Sequence, residues 1–94
     1  MLEKIRLALR FKTNAFDSEI DDNINAALRD LDRVGVDTED KNLQNADALI
    51  YKACELYCKW QFDFLEKGEQ FRQSYEDLRD AMSLCSTYRS KSDE

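Results

Sequence analysis

The residues of this chain best suited to chemistry are its three cysteines. Cys54 and Cys58 stand four positions apart, which on a helix places both thiols on one face, and Cys85 comes from a later stretch. Three thiolates could hold zinc, but the fourth ligand would have to be a carboxylate or water, and no C-x-x-C spacing frames them. An odd cysteine count without a secretory signal reads instead as free thiols in a reducing compartment, each behaving as a small hydrophobe. Histidine is absent, which removes the commonest general base and the commonest metal ligand. Gly35 and Gly68, the only glycines, cannot build a phosphate-cradling loop. Asp17, Asp21, Asp30 and Asp32 fall at helical positions where a solvated face or the helix dipole accounts for them. Asp37, Glu39, Asp40 and Asn42 have the donor types of a calcium loop but lack its glycine and its closing bidentate glutamate, so an acidic loop is expected. The chain therefore reads as a non-enzyme without cofactor or metal.

The elements that must carry these residues are helices. The chain has 94 residues, no proline and two glycines, and it shows no strand alternation. That length makes one small domain that hides only somewhat over ~60% of its unfolded surface, so association with other subunits would add useful stability. No apolar run is long enough to span a membrane, and the first residues lack an apolar signal core. The net charge of −6 is uneven. Residues 1–12 set Glu3 against Lys4, Arg6, Arg10 and Lys12, while residues 13–50 set ten carboxylates against Arg29, Arg33 and Lys41. An acidic body of this kind argues against a protein that wraps nucleic acid, and no basic helix-turn-helix is present.

Apolar spacing predicts four helices, at about 2–10, 15–34, 46–66 and 69–88, in an all-α bundle centred on the third. In that third helix Ala46, Leu49, Ile50, Ala53, Leu56, Tyr57, Trp60 and Phe64 fill one arc, and Tyr51, Cys54, Cys58, Phe62 and Leu65 fill a second. Only Ala48, Lys52, Glu55, Lys59, Asp63 and Glu66 make a polar strip, so the helix is expected to be covered on two sides. Thr13 and Asn14 are cap candidates for the second helix, and Gly35 followed by Val36 marks its stop. Asn45 or Asp47 is placed to cap the third helix. Phe71, Tyr75, Leu78, Met82 and Cys85 form a short heptad seam on the fourth. Most aromatics are assigned to the core, with Tyr51 and Phe62, at the edge of the second arc, left as candidates for a subunit contact. Residues 1–88 are read as one domain and 89–94 as a tail that can bury nothing and is expected to be mobile.

Several stretches together bring a family into view. Leu7-Ala8-Leu9-Arg10-Phe11, Phe16-Asp17-Ser18-Glu19-Ile20, Ala26-Ala27, Val34-Gly35-Val36, Tyr57, Phe62 and Phe71 through Ser74-Tyr75-Glu76-Asp77-Leu78 resemble the tailed-phage head–tail connector proteins, also described in prophages as small DNA-packaging proteins. The resemblance runs from about Leu2 to Leu84. It implies a helical bundle that assembles as a ring beneath the portal, extends the DNA channel and offers a platform to the next head-closure or tail protein. The expected partners are then other copies of the chain, the portal, a head-closure or tail protein, and passing DNA without sequence-specific binding. The expected location is the head–tail junction of the virion, after assembly in the host cytoplasm. In this setting Leu84, Tyr88, Arg89 and Lys91 are candidates for portal contact, because the last apolar residues of the fourth helix have no evident partner in so small a bundle. Acidity suits a channel wall that lets phosphates slide past. The competing reading is a small acidic phage regulator or DNA mimic, which would instead bind a basic protein of the phage or host.

Overall fold

The computed structural model describes residues 2–36, 38 and 44–85, and for 44–47 the backbone alone. Its helices are α1 (Leu2–Ala8), α2 (Asp17–Arg33), α3 (Gln44–Gln61) and α4 (Gly68–Leu84), with a 3-10 turn at Phe64–Glu66 between the last two. Four helices and no strand among the described residues make the all-α bundle that the apolar spacing called for. Helix α3 is its centre: it packs against α1, α2 and α4. The core is built from Ile5 and Leu9, from Ile20, Ile24, Ala27 and Leu31 on one stripe of α2, and from Ile50, Ala53, Cys54 and Cys58 on α3, closed by Tyr75 and Met82 of α4. The α2 set recurs at four, three and four residues and Tyr75 and Met82 stand seven apart, so burying one stripe of each helix removes most large apolar side chains from water.

Helix ends depart from the expected bounds for a common reason. Gly35 takes φ 92° and closes α2 as foreseen: its N–H donates to the Asp32 carbonyl and the Val36 N–H to the Leu31 carbonyl, both at 3.0 Å. Helix α1 stops in the same way two residues early, with Arg10 at φ 64° and bonds from Arg10 N to Leu7 O and from Phe11 N to Arg6 O. Helix α3 ends at Gln61 rather than at Glu66, because Asp63 is left-handed at φ 49° and its N–H turns back to the Trp60 carbonyl. Asp63 also begins the next helix, since its Oδ1 accepts the Gly68 N–H at 2.8 Å and satisfies a donor of the first turn of α4. Leu65 and Glu66 are left-handed as well, so the turn between α3 and α4 carries strain at three non-glycine residues.

At the start of α2 the cap position falls to Phe16, with no side-chain cap. Thr13 instead accepts the Ala15 N–H at 3.3 Å, inside the preceding turn. Helix α4 ends at Leu84, and Cys85 is extended, shorter than the reading to residue 88. Helix α3 starts at Gln44, so Asn45 and Asp47 fall inside its first turn and neither is its cap. The acidic loop of 37–44, apart from Thr38 and the backbone of Gln44, and the segment 86–94 lie outside the described residues. The polar strip of α3 is also less wet than expected. Glu55 is buried beneath Lys52 and Lys59, with contacts of 3.1 and 3.8 Å.

Candidate assembly site

One end of the bundle is aromatic. Phe11 stacks on Phe16 with ring centres 4.8 Å apart, and Phe62 meets both edge-on at 5.4 and 6.4 Å. Phe62 is thus half-buried against the turn that follows α1, while Phe16 and Leu7 remain exposed beside it. Tyr51, on the same side of α3, is half-buried with the Lys4 ammonium 5.8 Å from its ring. Burial pushes the Tyr51 hydroxyl pKa up, and the neighbouring Glu55 adds to the effect. Of the two subunit-contact candidates, Tyr51 therefore borders α1 and Phe62 the turn that follows it. Arg10 and, from α3, Lys59 lie over Phe64, so Lys4 and Arg10 of the N-terminal region are both spent on aromatic faces. Arg6 likewise turns to Asp17 of α2 at 2.8 Å.

Asp30 organises the opposite edge. Its Oδ2 accepts Tyr75 Oη at 2.7 Å and Arg79 Nη1 at 3.0 Å, and its Oδ1 accepts Arg33 Nη2 at 2.7 Å. Burial acts to raise the Asp30 pKa, but the hydrogen bonds from Tyr75, Arg33 and Arg79 outweigh it and hold the carboxyl below its ordinary value. Tyr75 is shifted strongly upward, first by burial and then by donating to that carboxylate. These contacts frame an open cleft of about 400 Å³ between α2 and α4. Tyr57 and Trp60 of α3 contribute aromatic surface to it, and Arg29, Arg33, Arg79 and Glu76 line it too. Asp30 was read from the sequence as one of several solvated carboxylates. It is instead a tertiary anchor between helices.

Leu84 closes α4 and is 85% exposed, the most exposed large apolar side chain described. Tyr88, Arg89 and Lys91, the other portal-contact candidates, lie outside the described residues. Cys54 and Cys58 are fully buried and their thiols are pushed up to about 12, mainly by burial. Among the described residues no group of three metal-ligating side chains converges.

The phage connector protein family model matches residues 1–89, a span that takes in all four helices. The chain belongs to that family. Neither a curated protein nor a solved structure matches it. Sequence reasoning missed the arginine cleft, although Arg29 and Arg33 stand four apart on α2 and so share a face. No helix among the described residues is long and apolar enough to cross a membrane.

Proposed function

We propose that this connector assembles as a ring beneath the portal of a filled phage head, extends the DNA channel and presents a platform to the next head-closure or tail protein. The observation that carries the reading is the family match over residues 1–89. The shape agrees with it: the bundle measures 43 × 25 × 19 Å, a rod suited to standing side by side with its copies. In this reading Tyr51 and Phe62 lie in the contact between subunits. Residues 1–88 form the connector domain, and Leu84 at the end of its final helix, with Tyr88, Arg89 and Lys91 beyond it, meets the portal. The excess of carboxylates keeps the passing duplex from sticking. The role requires no catalytic group.

The test is reconstitution. Portal-bearing heads produced without this protein are incubated with the purified chain and imaged by electron cryomicroscopy. A ring of added density below the portal is the expected result. Heads that stay bare at saturating protein, or a chain that binds at the capsid lattice instead, would overturn the proposal.

A further inference from the structure

The segment between α3 and α4 folds against its own sequence. Both apolar arcs of α3 continue at helical spacing through Phe64 and Leu65, and residues 62–67 hold neither glycine nor proline, so the local preference is for one unbroken helix. The chain reverses there instead. Asp63, Leu65 and Glu66 take φ of 49°, 56° and 60°, the left-handed region that residues with a Cβ disfavour, and Leu65 is left 56% exposed. The reversal is kept by the packing of α4. Tyr75 is 1% exposed, its ring lies 5.2 Å from that of Tyr57 and its hydroxyl donates to Asp30, while Arg79 reaches the same carboxylate. These contacts join α4 to α2 and α3, and none of them passes through the turn.

Identical contacts are therefore open to the α4 of a second copy. We infer that two copies of this chain exchange α4: residues 62–67 straighten, α3 and α4 become one helix of ~60 Å from Gln44 to Leu84, and each α4 takes the place of the other's on α2 and α3. The seat itself selects the occupant, since it is already shaped for this helix. Exchange keeps the bonds of Tyr75 and Arg79 to Asp30 and the aromatic packing, and it releases the left-handed backbone. Against it stand the Asp63 Oδ1 bond to the Gly68 N–H, which is lost with the turn, and the freedom given up when two chains become one particle. The pair therefore forms with rising concentration, as short hinges under strain allow. It is a property of the isolated chain and independent of any ring.

The hinge can be biased both ways. Gly68→Ala disfavours the turn, because its Cβ stands 2.6 Å from Asp63 Oδ1 and 3.1 Å from the Trp60 carbonyl oxygen, and it favours the straight helix through alanine's propensity. Glu66→Gly, at an exposed position, does the reverse, since glycine accepts the left-handed turn and weakens a helix. Each protein is refolded across a concentration series and its mass is read by size-exclusion chromatography with light scattering. Gly68→Ala is expected to lower the concentration for half-pairing by at least about tenfold, and Glu66→Gly to raise it by at least about tenfold without lowering the melting temperature. A mixture tells exchange from side-by-side contact. Asp30→Lys and Arg79→Glu each oppose like charges across their own α2–α4 seat. Refolded together they form mixed pairs in which one seat is wild type and the other carries the charges reversed, so native mass spectrometry should count mixed pairs at least about tenfold over pairs of either variant. Should either variant fail to fold alone, its recovery in the mixture reads the same exchange. Pairing indifferent to both hinge substitutions, mixed pairs no more abundant than random assortment, or chains that remain single at millimolar concentration, Gly68→Ala included, would each overturn the inference.

Discussion

Removing the Asp30 carboxylate tests whether the α2–α4 clamp holds the bundle together. Tyr75 is 1% exposed, so in Asp30→Ala its hydroxyl loses its partner without gaining free access to water. The Arg79 side chain is 19% exposed and loses a charge-assisted bond, whereas Arg33 is 66% exposed and contributes little. A stranded buried donor and a lost bond between charged groups together come to about 2–3 kcal/mol. For a domain of this size that lowers the melting temperature by about 10–20 °C. Asp30→Asn adds a pH signature. The folded-state pKa of Asp30 lies below its unfolded one, so the stabilisation is complete above the unfolded value of about 3.9 and disappears as pH falls through the folded value. Melts by circular dichroism should show wild type above Asp30→Asn by a constant margin from pH 5 to 8, closing below about pH 4. An Asp30→Ala loss under about 1 kcal/mol, or a margin unchanged at the acid end, would refute the clamp.

The buried thiols give a second prediction. With a pKa of about 12, Cys54 and Cys58 expose about one thiolate in ten thousand at pH 8, so iodoacetamide should label the half-buried Cys85 first and reach the other two only on unfolding, as peptide mass mapping would show. Gly68→Ala should lower the unfolding free energy from urea melts by about 1 kcal/mol despite alanine's helix propensity, since the new Cβ would stand 2.6 Å from Asp63 Oδ1 and displace the bond that starts α4. Phe62→Ser should leave a folded monomer and weaken assembly in light scattering over a wide concentration range. If it unfolds the monomer instead, its contacts with Phe11 and Phe16 are its whole purpose. Deleting residues 89–94 should shift the melt by less than about 0.5 kcal/mol yet reduce attachment to portal-bearing heads, and undiminished attachment would move the portal contact elsewhere.

The core was legible because burial imposes a period. Ile20, Ile24, Ala27 and Leu31 recur as one stripe, and the two apolar arcs of α3 announce a helix covered on more than one side, as its contacts with α1, α2 and α4 bear out. Helix ends were legible only where the residue type is specialised. Gly35, Arg10 and Asp63 do the same work in left-handed backbone, and glycine alone advertises it. At Arg10 and Asp63 tertiary packing imposes the conformation on residues that would ordinarily avoid it, so the pattern alone carried α1 and α3 too far.

Polar roles depend on a different kind of information. Asp30 and Asp32 are two residues apart and chemically identical, yet one anchors Tyr75 and Arg79 while the other faces solvent on the far side of the same helix. Their difference is set by which flank of α2 receives α4, whose contacting residues lie 45 and 49 positions away. Apolar period fixes the buried stripe of α2 but leaves open which neighbour lies to its left and which to its right. Once the Arg6–Asp17 pair places α1 on one flank and Asp30–Arg79 places α4 on the other, every remaining charge on α2 acquires a side. Asp21 and Asp32 then fall together on the flank of α1, whereas Arg29 and Arg33 share their side with Glu19 and Asp22, so the neighbour on each flank and not the charge pattern decides which carboxylate becomes an anchor.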